Sequence, residues 1–427
     1  MQLKYLPIII EKLKDNKQVF VNFFYLGISY STNLLLPLLV LPFLVKTIGI
    51  EKYGLISVAQ AIMMFVNIFV DYGFNLTATR EIAISGNDNN KKKYLFSVVI
   101  ITKFLLFCIA LIAICGYSFI RYSYNTEYKL LLYSMPIVFG QMLTPQWFFQ
   151  GIEKIQYVAF ANVFFKTLSI ISIFFLIKTP EDYIYVNLLQ GIGGCLAGIL
   201  CTGLIFTHFK IKVVSVTFKD IKYQIVEGWY IFTANLANSI YIYSNIIILQ
   251  IFALPEIVGY YSVAEKISNS LKLIMSVVTQ ATYPTACKLA DENHQKLVSF
   301  LKQVFIPLST ILFAICFLLY IYADFVANII VGDSNPEIIN YIHLMAFIPF
   351  IVFINSPAYQ TLLAHHLNRA CSRVLILGAV LNLFSNTILS YYFSAYGTII
   401  SIILTELFVT ITLYVLLSTK YKKYTLF

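Results

Sequence analysis

The feature that most constrains this chain is a series of twelve long, uninterrupted apolar runs: Phe20–Val45, Leu55–Ile84, Tyr94–Tyr117, Leu130–Phe149, Tyr157–Ile177, Tyr183–Thr207, Val226–Phe252, Val258–Thr282, Val298–Tyr322, Ile339–Leu363, Val374–Phe393 and Tyr396–Leu417. A helix of about 20 residues rises ~30 Å, the thickness of a bilayer's hydrocarbon core. In hydrocarbon every backbone polar group must be paired internally, so only helices and closed barrels cross it. Barrel strands alternate apolar and polar over about 10 residues, whereas these runs are continuously apolar and twice as long. The expected class is therefore an all-α integral membrane protein with about twelve transmembrane helices. Composition agrees, since 59% of the 427 residues are apolar and only 12% are charged, about half the charged fraction of a soluble domain. A water-soluble enzyme, a nucleic-acid-binding domain and a secreted disulfide scaffold are excluded, despite a net charge of +10. The first run is too long for a signal peptide and lacks a small-residue cleavage site, so it reads as a span. The seven cysteines are scattered without CxxC spacing and read as packing residues.

Basic loop residues set the orientation. With a cytoplasmic N-terminus, nineteen Lys and Arg fall on the cytoplasmic side, including Lys91–Lys93, Lys210–Lys222 and Lys420–Lys423, against five on the other (Lys46, Lys52, Arg121, Lys129, Lys178). Both termini are expected in the cytoplasm. An internal repeat appears at an offset of 205 residues: Gly54, Ser57, Val58, Ala59 and Ile62 lie over Gly259, Ser262, Val263, Ala264 and Ile267, and Tyr25, Asn33, Leu44 and Glu51 over Tyr230, Asn238, Leu249 and Glu256. The offset spans six helices, so the copies share one topology and are related by an axis along the membrane normal. The expected architecture is two pseudo-symmetric six-helix lobes, residues 1–209 and 226–427, joined by a basic cytoplasmic linker, 210–225.

Polar residues within the spans are the candidates for function. The second span carries Gln60, Asn67, Asp71, Asn75 and Thr79, close to one helical stripe. The repeat places Glu265, Lys272, Ser276 and Gln280 at the first four of these positions. Such stripes must face protein or water. For the Asn, Gln and Ser members the alternative role is to hydrogen-bond helices together. Ionisable residues at mid-membrane point more strongly to function. Lys272 is the deepest, and Lys103 and Lys166 lie about nine residues, ~14 Å, from the cytoplasmic side, where snorkelling is the alternative. Arg80 and Lys302 lie nearer the surface. Asp71 and Glu406 are near mid-span and Glu265 nearer an end; each is either half of an ion pair or a protonatable coupling site. Asn33 and Asn238, matched by the repeat, are expected to face the interface of the halves. Seven prolines fall within spans and suggest bending helices, and Gly194 and Gly198 have the spacing of a close helix contact. No phosphate loop, nucleophile elbow or HExxH motif occurs, and His365 beside His366 is badly placed to share a metal. No cofactor is implied. Fixed cations in a wet interior suit an anionic or polar solute, and a lipid-linked oligosaccharide satisfies both.

The run Asp71-Tyr-Gly73-Phe74-Asn75-Leu-Thr-Ala-Thr79-Arg80-Glu81-Ile-Ala83, with Gly49-Ile-Glu51-Lys-Tyr53-Gly54, Pro145-Gln-Trp147-Phe-Phe-Gln-Gly151-Ile-Glu153 and Val258-Gly-Tyr-Tyr261, resembles the polysaccharide or O-antigen repeat-unit flippases of the multidrug/oligosaccharidyl-lipid/polysaccharide exporter superfamily. The resemblance covers nearly the whole chain. It implies movement of an undecaprenyl-diphosphate-linked repeat unit from the cytoplasmic to the periplasmic leaflet of the bacterial inner membrane by alternating access. It further implies lipid-linked oligosaccharide and membrane lipids as partners, beside the polymerase and chain-length proteins of that pathway. The chain departs from the family pattern at Ala358 and near His365, where glycines are expected. On this reading Lys272, Lys103, Lys166 and Arg80 attract the diphosphate or acidic sugars, with Asn33, Asn238, Asn67, Asn75 and Gln280 on the sugar and Asp71, Glu265 and Glu406 coupling ions. Rival readings are a cation-coupled multidrug exporter of the same superfamily, which deep lysines disfavour, and a membrane polysaccharide polymerase, which requires a large outer loop that is lacking here.

Overall fold

The computed structural model describes residues 27, 32, 36–86, 88–122, 127–332 and 335–420. The start of the first expected span, Asn33 and both termini lie outside these residues. Among the described residues there is no strand, and the all-α membrane class holds. The helices are α1 (Leu36–Ile48), α2 (Ile50–Asp71), α3 (Phe74–Ile84), α4 (Asn89–Tyr122), α5 (Glu127–Leu143), α6 (Gln146–Gly151), α7 (Gln156–Leu176), α8 (Tyr183–Thr207), α9 (Phe218–Phe252), α10 (Pro255–Glu292), α11 (His294–Ile321), α12 (Ala323–Val331), α13 (Pro336–Met345), α14 (Ile348–Ala364) and α15 (Asn368–Val415). Eight helical stretches are long and apolar enough to cross a membrane. The stretch containing α15 is two passes joined at Ser394, whose backbone leaves the helical region (φ 52°, ψ −132°). Together with α1, α5 and α10 this gives twelve candidate passes among the described residues. α10 is the least apolar of them because it carries Glu265, Lys266 and Lys272.

Three expected spans are each broken into two helices. The second stops at Tyr72 and Gly73, both left-handed (φ 49° and 83°); the fourth stops at Thr144-Pro145; and the tenth divides between α13 and α14. The single stripe expected from Gln60 to Thr79 is therefore redirected after Asp71. Apolar patterning continues across all three breaks, which is why hydropathy merges them. Pro136, Pro284, Pro307 and Pro357 sit inside helices, each removing one backbone hydrogen bond.

The chain forms two compact units, one of Ile62–Leu236 with the residues up to Val40, the other of Leu41–Ala61 with Ala237–Phe427. The first unit's core is aromatic: Phe74, Phe96, Trp147, Phe148 and Phe149 are each at most 1% exposed. Tyr72 stacks on Phe232 with ring centroids 4.5 Å apart. Here α5 and α8 pack through glycine. A methyl group at Gly140 would lie 2.5 Å from the Gly194 carbonyl carbon, and one at Gly198 would lie 2.6 Å from Leu143 Cβ. The packing role expected of Gly194 and Gly198 is the one they have.

The second unit contains the clearest trace of the repeat. Gly54 abuts the Pro255 carbonyl and the Gly259 amide, while Gly259 abuts the Ile50 carbonyl. Residues 50 and 255, like 54 and 259, are one repeat offset apart. Each copy of the motif thus uses the same surface to contact the other, the geometry of a two-fold contact. Apolar packing around Leu301, Phe305, Phe353, Leu362, Cys371 and Leu413 forms this unit's core.

Candidate functional site

In the first unit the family-like motifs build two helix breaks that flank one ion pair. Gly73 is required at the α2–α3 break, because its φ of 83° suits glycine and a methyl group there would lie 2.6 Å from Ile231 Cγ2. At the α5–α6 break Pro145 cannot donate a backbone hydrogen bond, and the Thr144 hydroxyl donates back to the Gly140 carbonyl at 2.9 Å. Non-helical backbone at membrane depth is tolerated where protein or a polar cavity shelters it. Here a cavity of about 20 Å³ is lined by Asn67, Asp71, Asn75, Lys103, Gln141, Thr144 and Gln146, room for roughly one water molecule. Lys103 Nζ donates to Asp71 Oδ1 at 2.7 Å, with the side chains 3% and 18% exposed. Asn67 and Asn75 join the pair as the sequence suggests. Thr79 does not: its hydroxyl donates to the Asn75 and Trp147 carbonyls, at 2.6 and 3.2 Å, and fastens α3 to α6.

In the second unit Glu265, Lys272 and Glu406 belong together. Glu265 and Lys272 are two helical turns apart on α10, and Lys272 acts electrostatically on both carboxylates. Tyr261 donates its hydroxyl to Glu265 at 3.1 Å, and Tyr241 on α9 lies near Glu406, which is 6% exposed. One residue after Glu265, Lys266 Nζ donates to the Tyr53 hydroxyl at 3.0 Å.

A buried polar ladder that sequence reasoning did not single out lies in the same unit. Asn386 donates to Asn245 at 3.0 Å, and Ser390 donates to Asn386 at 2.6 Å and lies 2.6 Å from Thr398. Asn382 Nδ2 lies 3.5 Å from the Thr405 hydroxyl. The signal was present: Asn382, Asn386 and Ser390 recur every four residues in an apolar span, the criterion already applied to the second span.

The remaining candidates do not line the cavity beside Asp71 and Lys103. Arg80 is exposed on α3, Lys166 is half-buried on α7, and Asn238 and Gln280 are exposed on α9 and α10. Outside the clusters, His294 and His365 bring ring nitrogens within 3.3 Å, a contact between residues 71 apart in the chain. Among the described residues no group of three or more His, Cys, Asp and Glu is placed to hold a metal ion.

Twelve helical passes with charges held inside them define a polytopic integral membrane protein. The family model described as "Polysaccharide biosynthesis protein" matches residues 19–290, and the chain belongs to that family. Over 91% of its length it is 29% identical to a protein of Escherichia coli (strain K12) named "Putative O-antigen transporter", of which it covers 94%. A protein of the same name from Shigella dysenteriae is 28% identical over 93% of this chain and 99% of its own. The fold is shared with an inward-facing multidrug resistance MATE transporter of the MOP superfamily (TM-score 0.67, 14% identity, 90% of this chain and 98% of that one). It is shared also with the lipid II flippase MurJ in an inward closed conformation (TM-score 0.65, 13% identity, 94% and 87%).

Proposed function

We propose that this protein is a flippase that moves an undecaprenyl-diphosphate-linked oligosaccharide repeat unit, for O-antigen or a similar surface polysaccharide, from the cytoplasmic to the periplasmic leaflet of the bacterial inner membrane by alternating access. The observation that supports it best is the Asp71–Lys103 pair among Asn67, Asn75, Gln141 and Gln146, inside spans otherwise built for hydrocarbon. Carrying a sugar chain through lipid costs several kcal/mol per unpaired hydroxyl, and a polar lining of amides, carboxylates and ammonium groups replaces those hydrogen bonds with water. The names of the O-antigen relatives favour the same cargo. On this reading Lys272, Lys166 and Arg80 draw the diphosphate, and Asn33, Asn238, Asn67, Asn75 and Gln280 serve the sugar. The division of labour runs between residues 1–209 and 226–427, joined by 210–225, with both termini cytoplasmic. The polymerase and chain-length proteins of the pathway are the proposed partners.

Lys103 is held by Asp71, so its charge is spoken for until that carboxylate is neutralised. Protonation of Asp71 would release the ammonium to a phosphate, which is one route by which a proton couples to export, and Glu265 and Glu406 offer the same chemistry around Lys272. Coupling is not energetically required: two negative charges leaving a cell interior at about −100 mV release ~4–5 kcal/mol. The test is expression in a strain lacking its own O-antigen transporter but supplied with the matching repeat unit. Restored surface O-antigen supports the reading. Resistance to organic cations without O-antigen would instead establish the multidrug exporter reading that the MATE-like fold keeps open.

A further inference from the structure

One cavity shares no lining residue with the charged clusters. It is a half-open groove of about 340 Å³ in the second unit, between α11 and α14 and against the end of α15. Leu301, Lys302, Phe305 and Phe313 line it along α11, with Pro357 and Tyr414 opposite. From Lys302 to Phe313 it follows ~16 Å of helix. Tyr414 donates its hydroxyl to the Ile354 carbonyl at 2.9 Å and fixes that wall. Thr310 turns its hydroxyl into its own helix, to the Ile306 carbonyl. Lys302 is the one charged residue of the lining, and its neighbours there change within a turn to Leu301, Phe305 and Ile306. The groove therefore complements an anion joined directly to a long apolar chain. A diacyl phospholipid places glycerol and two esters between phosphate and chain, whereas the next polar side chain of the lining after Lys302, Ser309, lies ~10 Å further along the helix.

We infer that this groove binds the polyprenyl chain of the lipid-linked substrate, with Lys302 on its phosphate, a site that rests on the flippase reading and adds a fixed berth for a tail otherwise left in the bilayer. On the proposed orientation Lys302 lies in the cytoplasmic leaflet, where loading occurs.

The experiment is photolabelling of the purified full chain in phosphatidylethanolamine nanodiscs with a benzophenone-bearing geranylgeranyl diphosphate, the label being mapped by mass spectrometry. Label is expected on peptides covering 301–313 and 350–357, displaced by undecaprenyl phosphate at concentrations about tenfold below those needed of phosphatidylglycerol, a gap of ~1.4 kcal/mol. Ser309→Trp should lower labelling about tenfold, equivalent to ~1.4 kcal/mol, and Lys302→Gln should erase the preference for the diphosphate over geranylgeraniol. Label elsewhere, equal displacement by phosphatidylglycerol, or labelling indifferent to both folded variants would overturn the site. Should the variants misfold, the competition on the unaltered chain still decides. The probe carries no sugar and crosses no leaflet, so absent labelling with O-antigen export intact rejects only the groove, and labelling without export rejects only the flippase reading.

Discussion

Asp71 and Lys103 illustrate how a membrane interior holds charge. Neither side chain is stable alone in a low-dielectric setting, and removing one partner of a buried pair costs about 3–5 kcal/mol. Lys103→Met should therefore destabilise the protein by ~3 kcal/mol, while the double variant Lys103→Met, Asp71→Leu should recover most of that loss. Thermal unfolding in detergent reads both, and additive losses would contradict the pairing. Lys272 lies within electrostatic range of two carboxylates, Glu265 and Glu406, and its role is predicted to be transport rather than folding. Lys272→Ala should abolish translocation with membrane abundance unchanged, measured as surface O-antigen against protein detected by immunoblot; unaltered export would reject the role. The ionisable residues were legible in the sequence because charge in an apolar run is conspicuous. Their pairing was not, since 32 residues and a change of helix separate Asp71 from Lys103. The neutral ladder of Asn245, Asn386, Ser390 and Thr398 has no ionisable member to mark it, although Asn382, Asn386 and Ser390 have the four-residue spacing of the second span.

At the scale of elements, apolar length located the passes well: the sixth expected span and α8 share the same ends, Tyr183 and Thr207. What hydropathy could not reveal were the breaks, because phenylalanine, leucine and isoleucine continue on either side of them. Tyr72 and Gly73 read as two more residues of a span, yet their positive φ ends α2 where Asp71 meets Lys103. Gly73→Ala should cost at least ~1–2 kcal/mol from backbone alone, beyond its clash with Ile231, and the melting temperature measures it. The expected glycine near His365 has a structural counterpart: His366 adopts φ 58°, the left-handed turn a glycine would take. Close helix contacts were legible where glycine spacing marked them, as at Gly194 and Gly198. The reciprocal contact of Gly54 and Gly259 predicts that Gly54→Ala and Gly259→Ala destabilise by similar amounts, about 1–3 kcal/mol each. Thermal denaturation of the two variants checks this, and one neutral substitution beside one severe one would show the contact to be one-sided.

For the molecule as a whole, fold and family follow from helical passes, a repeat and two helix-break motifs, and the cargo is the step that needs chemistry. The fold serves multidrug exporters and a lipid II flippase alike, so the polar and charged groups within the spans must carry the distinction. The most direct measurement reconstitutes the full chain in liposomes with a fluorescently tagged undecaprenyl-diphosphate oligosaccharide and follows its exposure to an impermeant quencher, with an organic cation as the competing cargo. The account predicts protein-dependent movement of the glycolipid, lost in Lys272→Ala, and no movement of the cation. Cation transport by a chain that leaves the glycolipid in its original leaflet would contradict it.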